Sequence, residues 1–400
     1  MTRFARIRVP GEEQRTSSLE LFFDLVFVFA VTQVSHLLLK HLTWAGVGQS
    51  ALVLLVIWWA WNYTAWVTNE LDPESAVVRA LMIALMLAAL LMAVAIPRAF
   101  GSDALLFAGS YVAIQVGRHL FLTFGSAVPH TPERERGARI LGWFVASAPL
   151  WIAGAIAGGT AQTILWVAAL LLDYGAPLVL YWAPRRPRLG PGTWDVESAH
   201  FAERFQLFVI IALGESIVVT GATTSQAGLD FARGVALATA FLTTAAMWWL
   251  YFTYVARIAQ RRLELSHDRT KLARDGYTYL HVLMVAGVIV SAVGDELLIA
   301  HPTEELTGPQ IAAVVGGPAI YLLAHTLFRL RMAGTLSVRR LAGAIACVAL
   351  GALGAVVPAL VLGIAVLAVL VGVIAAEHAA AVRRRARGEP SPLERLETTA

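Results

Sequence analysis

The chain has 400 residues, of which 58% are hydrophobic and only 14% are charged, and its mean hydropathy is +0.67. Soluble domains carry about one quarter charged residues, so the composition excludes an ordinary soluble domain and favours a polytopic membrane protein. The net charge of +4 does not indicate nucleic-acid binding, because the basic residues lie scattered between apolar runs. The single cysteine, Cys347, excludes a disulfide framework and a cysteine-based metal site.

Apolar stretches that could span a bilayer, each of about 20 residues, recur along the whole chain. They lie at 19–39, 48–68, 78–97, 104–124, 139–158, 162–183, 203–222, 232–256, 278–299, 310–330, 340–356 and 358–378. The last two are separated only around Pro358, so residues 340–378 form either two spans or one long or re-entrant segment. The sequence therefore predicts an all-α polytopic membrane protein with about 12 transmembrane helices.

The basic residues predict the orientation of these spans. They fall at the N-terminus, in alternate loops and in the tail, with four exceptions: Lys40, Arg98, Arg118 and Arg233. Because Lys and Arg accumulate on the cytoplasmic side, we expect both termini to be cytoplasmic. The first apolar run contains acids and lacks a clear cleavage site, so we interpret it as an uncleaved span rather than a signal peptide.

Three short motifs of the first half recur in the same order in the second half. They begin at Glu20 and Glu203, at Trp58 and Trp248, and at Arg139 and Arg340. Six spans per half would insert both halves in the same orientation, as parallel repeats do in some secondary transporters. We therefore predict a cytoplasmic segment at 1–18, six-helix repeats at 19–190 and 191–380, and a basic cytoplasmic tail at 381–400.

Ionisable side chains inside the spans are the best candidates for a functional site, because they are costly in lipid and usually face a bundle interior or a hydrated cavity. Glu20 and Asp24 lie one turn apart in the first span. For Glu20 a structural role is an equal alternative, since Ser17-x-x-Glu20 has the form of a helix capping box. Asp24 lies beyond the groups that such a cap satisfies, which favours a functional role.

The second half carries a deeper acid, Glu215, roughly 18 Å of helix beyond Glu203. A carboxylate at that depth must be paired, protonated or hydrated. The neighbouring Ser216 offers a hydroxyl. Glu203 itself has a simpler interpretation as an interfacial acid paired with a basic neighbour, and Arg204 follows it directly.

Arg118, in the fourth span, is the candidate counter-charge for these acids, and the alternative is that it extends to the cytoplasmic headgroups. Asp173 is the next candidate after Glu215, in a helix that Pro177 is expected to kink. Secondary candidates are His36, Asn62 and His119, and a packed histidine is the favoured interpretation of His119.

Three further features of the second half have simpler expected roles. Asp295 lies near the outer end of its span, where a solvated cap is expected, and Glu377 lies close to the basic tail and needs no special role. Arg383–Arg385 follow the last span, so we expect them to contact anionic lipid headgroups on the cytoplasmic side.

The stretch Ser17-Ser-Leu-Glu-Leu-Phe-Phe-Asp-Leu-Val-Phe-Val resembles the bacterial low temperature requirement protein A (LtrA) family, as do Glu203-Arg-Phe and Leu213-Gly-Glu-Ser216. The resemblance extends over roughly residues 15–380 and implies a multi-pass protein of the bacterial inner membrane. It says little about mechanism. The family pattern falls on Glu20, Phe23, Asp24, Glu203, Arg204, Phe205, Gly214, Glu215 and Ser216.

These features favour a secondary transporter or channel-like permease whose halves enclose a site with Glu215, Asp24, Glu20 and Asp173. Protons, cations or a small solute would bind the carboxylates, with Arg118 or Arg204 setting their pKa. One alternative is a non-catalytic membrane-stress or assembly protein whose buried charges fix helix packing. The other is an intramembrane enzyme acting on lipid, with an acid and His119 or His36 as acid and base.

No catalytic or nucleotide motif occurs, so we expect no enzyme, cofactor or metal. The oligomeric state stays open.

Overall fold

The computed structural model describes residues 16–126, 131–186, 189–190, 194, 196–253 and 255–398. Within these ranges the secondary structure is helical and no strand occurs. The helices are α1 Ser18–Lys40, α2 Trp44–Thr68, α3 Ala76–Ala95, α4 Ala104–Leu120, α5 Pro132–Ala157, α6 Gly159–Gly175, α7 Ser198–Ala227, α8 Phe231–Phe252, α9 Val255–Glu264, α10 Arg269–Leu272, α11 His281–Ala300, α12 Gly308–Ala333, α13 Val338–Leu350, α14 Ala359–Ala386 and α15 Pro392–Thr398.

Two helices are extended by π-helical turns. Residues Phe121–Ser126 continue α4, and Ala273–Leu280 join α10 to α11. With its extension, α4 becomes the segment Ala104–Gly125, which is long enough to cross a bilayer, whereas α11 is long enough by itself and forms part of the longer segment Arg269–Ala300.

Ten helical segments in the described ranges are long and apolar enough to span a membrane. This confirms the predicted polytopic helical class. The predicted sixth and eleventh spans instead contain the short helices α6, with 17 residues, and α13, with 13 residues. At about 1.5 Å per residue these two helices are shorter than the roughly 30 Å hydrocarbon core.

Prolines lie just after α6 and directly before α14. α6 ends at Gly175, two residues before Pro177, so the expectation that Pro177 would kink a continuing helix is wrong. Pro177 has no N–H, so the hydrogen bond to the carbonyl oxygen of Asp173 that would continue the helix cannot form. Pro358 directly precedes α14, and 340–378 therefore forms two separate helices rather than one segment.

The chain divides into two compact units, which are described separately. The first unit runs up to Leu37 and from Gln49 to Phe201, and the second comprises Leu38–Gly48 and the chain from Ala202 onwards. The division into two parallel repeats stays a prediction.

In the first unit, α3, α4, α5 and α6 pack against one another in chain order. Tryptophans form much of its interior, since Trp58, Trp59, Trp61, Trp151 and Trp166 are each no more than 1% exposed. These rings give the unit a large apolar core, beside which its buried polar side chains lie.

In the second unit, α11 lies along α12, and α8, α13 and α14 complete the bundle. Glycines allow the close approach of α11 and α12. A Cβ added at Gly287 would come within 2.7 Å of the backbone nitrogen of Tyr321, and one at Gly317 within 2.3 Å of that of Ser291. The two backbones therefore pack with almost no side chain between them.

Candidate functional site

Asp173 lies near the C-terminal end of α6 in the first unit, and its side chain is only 1% exposed. α6 approaches α5 closely, because Gly154 has no side chain and a Cβ there would come within 2.6 Å of the Trp166 ring. Nε1 of Trp166 donates to the carbonyl oxygen of Trp151 on α5 at 3.0 Å. Asp173 follows Trp166 by two helical turns and so lies on the same side of α6, facing the unit's interior.

One carboxylate oxygen of Asp173 accepts two hydrogen bonds, both from neutral donors. Its Oδ2 accepts from the Tyr111 hydroxyl at 2.8 Å and from Nε1 of Trp151 at 3.1 Å. Its Oδ1 is buried and lies near the Ser147 hydroxyl, which also lies 3.2 Å from the carbonyl oxygen of Phe144. Within the described part of the first unit, no basic side chain forms an ion pair with Asp173.

Arg118 on α4 is fully buried, so it does not extend to the headgroups. Its Nη1 donates to the Thr64 hydroxyl at 2.9 Å and to a backbone carbonyl of α2 at 3.2 Å, and its Nη2 donates to Oε1 of Gln115. In the described part of the first unit no carboxylate forms an ion pair with Arg118. An ion pair with Glu20 or Asp24 therefore does not form.

Tyr111, Gln115 and Arg118 form a row on one face of α4, because positions i, i+4 and i+7 of a helix lie above one another. Gln115 lies between the other two and interacts with both side chains. The row joins an acid at one end, Asp173, to a guanidinium at the other. We call these four residues the Asp173–Arg118 row.

Glu20 forms the predicted capping box. Its backbone nitrogen donates to the Ser17 hydroxyl at 3.3 Å, and the Ser17 backbone nitrogen donates to Oε2 of Glu20 at 2.9 Å. The Glu20 carboxylate also contacts Nε2 of His200 at 3.1 Å, and both side chains are fully buried. Nδ1 of that histidine lies 3.0 Å from Nδ2 of Asn69. These contacts give Glu20 a structural role.

Asp24 is also fully buried. Its Oδ1 accepts a hydrogen bond from Nε1 of Trp61 on α2 at 2.8 Å. The carboxylate thus contacts the centre of the tryptophan-rich core, as its position one turn inside α1 suggested.

The four candidates of the second half all lie on α7. Arg204 is fully buried, Glu215 is 8% exposed and Ser216 is 2% exposed, whereas Glu203 is only partly buried. The prediction that Glu215 lies deep in the bilayer and takes part in a functional site stays a prediction. A cavity shared by Asp24 and Glu215 stays a prediction.

The three secondary candidates differ from one another. His36 is exposed on α1, so it does not join the buried polar groups, whereas Asn62 on α2 is 1% exposed. His119 is buried, its Nδ1 lies 2.8 Å from the carbonyl oxygen of Gln115, and its ring packs against Phe144. The His119 ring is thus packed inside the first unit, as one of the two expected alternatives, a packed or an interfacial histidine, describes.

Two expectations about acids of the second unit are wrong. Asp295 is not a solvated cap, since it is only 7% exposed. Glu377, for which no special role was expected, forms an ion pair with Arg340. Helix position alone did not reveal either environment, because both depend on which side of the helix faces the bundle.

Sequence reasoning missed Tyr111, Gln115 and Trp151. A signal for the first two was present, since both lie on the helical face of α4 that contains Arg118. Trp151 could not be assigned this way, because only packing of α5 against α6 brings it to Asp173. Among the described residues, no three His, Cys, Asp or Glu side chains form a cluster that could hold a metal ion.

Ten apolar helices with buried polar side chains define a multi-pass helical membrane protein. The chain matches the family model for the bacterial low temperature requirement A protein (LtrA) over residues 15–375. The chain belongs to the LtrA family, which confirms the resemblance carried by its motifs.

A relative from Rhizobium meliloti (strain 1021) is "Uncharacterized protein RA0937". It is 36% identical over 322 residues, which are 80% of this chain and 78% of the relative. No solved structure matches the chain. The family and the apolar helices support a membrane location, and the argument for an activity depends on the buried polar groups.

Proposed function

We propose that the protein is a secondary transporter or permease of the bacterial inner membrane, in which Asp173 binds a proton or a cation. The proposal rests on the burial of the Asp173 carboxylate and on the kind of side chains that surround it. Its carboxylate is 1% exposed, and only neutral side chains, Tyr111, Trp151 and Ser147, lie within reach of it as hydrogen-bond donors. An ionised carboxylate in such surroundings is very costly, so a bound proton or cation would relieve the cost.

Arg118 gives the proposed site a fixed positive charge. The guanidinium does not neutralise Asp173 directly, because Tyr111 and Gln115 lie between them in the row. A fixed cation near a carboxylate favours release of the bound proton or cation, because like charges repel. Binding and release would then alternate as the distance between the two ends of the row changes.

The proposal also includes the finer features predicted from the sequence: two parallel repeats, both termini in the cytoplasm, and anionic lipids at Arg383–Arg385. The arginines occupy the last turn of α14, where basic side chains also interact favourably with the helix dipole. The alternating distribution of basic residues supports the orientation.

Flux measurements in proteoliposomes test the proposal. Purified protein is reconstituted, a proton or sodium gradient is imposed, and uptake of a panel of ions and small solutes is recorded. We expect gradient-dependent flux in the wild type and loss of that flux in Asp173→Asn. Asparagine keeps an oxygen that can accept the bonds from Tyr111 and Trp151, so this variant removes the charge with little change in packing.

Asp72→Asn is the matched control, since it makes the same chemical change at a more exposed position of the first unit. Its side-chain oxygen can still accept the hydrogen bond from the Glu74 backbone nitrogen. Unchanged flux in Asp173→Asn, or no flux in the wild type for any ion or solute, would reject the proposal. Glu215→Gln, measured in the same assay, tests the deep acid of the second unit.

A second function, as a non-catalytic membrane-stress or assembly protein, is favoured by one observation. The Arg340–Glu377 ion pair is buried and satisfied within the second unit, as expected of a charge pair that fixes helix packing. Stable partners in affinity purification, together with full function of Asp173→Asn and Glu215→Gln in cells, would support this function over transport.

A further inference from the structure

The second unit contains a small cavity between α8, α11, α12 and α14, with a volume of about 10 Å³, which is room for about one water-sized particle. Polar atoms lie on two of its sides, although the surrounding helices are apolar. The polar lining residues are Thr239, Thr243, Ser291 and Asp295, and Val314, Pro318 and Gly363 lie beside them.

Two side chains of α11 have polar atoms that lack hydrogen-bond partners in this cavity. Asp295 is 7% exposed and Ser291 is 5% exposed. Oδ2 of Asp295 and Oγ of Ser291 are buried and form no hydrogen bond within the described structure. The two residues are one helical turn apart, so both oxygens lie on the same side of α11. Buried polar atoms of this kind are rare in folded proteins and indicate a missing ligand, water or ion.

Three further oxygens are available in the cavity wall. Thr239 and Thr243, also one turn apart, are each 4% exposed and line the cavity from α8. The Thr239 hydroxyl donates its proton to the carbonyl oxygen of Val235 at 2.8 Å, which leaves its lone pairs free for another contact. On α12, Pro318 has no N–H, so the carbonyl oxygen of Val314 lacks its normal helical donor.

Glycines hold these oxygens close together. A Cβ at Gly294 would come within 2.8 Å of the Cα of Val314, and a Cβ at Gly317 within 2.4 Å of Oγ of Ser291. The absence of side chains at these two positions lets the Ser291 hydroxyl and the α12 backbone meet at the cavity.

We propose that this cavity binds a single sodium ion. All the donors are oxygens, from one carboxylate, three hydroxyls and one backbone carbonyl, which suits a hard cation rather than a transition metal. Only one of the donors is charged, and one carboxylate balances one positive charge in a low-dielectric interior, so a monovalent ion fits better than a divalent one. The site does not involve Asp173, and sodium could bind here whether or not the protein transports anything.

Sodium binding to the purified full-length protein in detergent is the test. The melting temperature is followed by tryptophan fluorescence while sodium chloride replaces choline chloride at constant ionic strength. Binding of ²²Na⁺ is measured in parallel by scintillation proximity. We expect a saturable rise in melting temperature with sodium, because a ligand that binds only the folded state stabilises it.

Asp295→Asn should weaken sodium binding by at least about tenfold, and Ser291→Ala should weaken it less, because it removes a neutral donor. Ser291→Ala also keeps the test valid if Asp295→Asn does not fold. Glu304→Gln is the charge-matched control, since that acid follows the same helix and its side chain is 68% exposed. It should bind sodium as the wild type does.

Two results would overturn the sodium site. The first is the absence, in the wild-type protein, of both ²²Na⁺ binding and a sodium-dependent shift in melting temperature. A melting temperature that responds to pH but not to sodium counts as this result. The other is wild-type sodium affinity in folded Asp295→Asn or Ser291→Ala. Because binding is measured without a gradient, neither result depends on the flux assay that tests Asp173.

Discussion

Arg340 on α13 and Glu377 on α14 form a two-point ion pair inside the second unit. Nε of the arginine lies 2.8 Å from Oε1 of the carboxylate, and Nη2 lies 2.9 Å from Oε2. The guanidinium also lies 2.8 Å from Nδ1 of His325 and donates to the carbonyl oxygen of Leu250 at 3.1 Å. One side chain therefore ties the short helix α13 to α8, α12 and α14.

Replacing Arg340 by Met should strongly destabilise the protein. The substitution leaves the carboxylate of Glu377, which is 9% exposed, buried without its cation, and breaking a buried pair on one side typically costs about 3–5 kcal/mol. Chemical unfolding of the detergent-solubilised protein measures the loss. Arg339→Met is the control, because Arg339 is exposed and its loss should change stability by less than about 0.5 kcal/mol. Equal stability of the two variants would contradict the structural role of the ion pair.

Gly317→Ala should destabilise the contact between α11 and α12. The new methyl would lie 2.3 Å from the backbone nitrogen of Ser291, and overpacking of this kind costs about 1–3 kcal/mol or more. Gly316→Ala, one residue earlier, has no atom within 4 Å of its methyl. That control should be neutral or slightly stabilising, because alanine favours the helix by up to about 1 kcal/mol. Thermal unfolding compares them, and a Gly317→Ala protein as stable as Gly316→Ala would argue against the close helix contact.

Tyr111 and Asp173 should be energetically coupled. Tyr111→Phe removes the donor that lies 2.8 Å from Oδ2 of Asp173, and Asp173→Asn replaces the acceptor. In a double-mutant cycle built from these two variants, contacting side chains typically show a coupling of about 0.5–3 kcal/mol. Unfolding free energies of the two single variants and the double variant give this number. Additive effects would show that the hydrogen bond contributes nothing to stability.

Hydropathy predicted the spans well, because nearly every side chain that faces lipid must be apolar. It overestimated the lengths of α6, which ends next to Pro177, and of α13, which ends at Leu350 before Pro358 starts the next helix. The acids were recognisable as unusual, and the capping box at Glu20 was readable from Ser17-x-x-Glu20 because both partners lie within one turn.

Partners distant in sequence were not predictable in the same way. Arg340 and Glu377 come from different helices and meet only because α13 and α14 pack together. The pairing of Asp173 with Trp151 likewise depends on the rotation of α6 against α5. The four-residue spacing of Ser291 and Asp295 places them on the same face of α11. Only the packed bundle shows that Oγ of Ser291 and Oδ2 of Asp295 form no hydrogen bond in the cavity.

Glu20→Gln should separate a structural role from a functional one. Glutamine keeps an oxygen that can accept from the Ser17 backbone nitrogen and from His200, but it loses the charge that strengthens both contacts. We expect a loss of about 1–2 kcal/mol in unfolding free energy. Flux per folded protein should stay unchanged, in contrast to the loss expected for Asp173→Asn. If folded Glu20→Gln lost its flux, the carboxylate of Glu20 would belong to the transport site and the row on α4 would be only part of it.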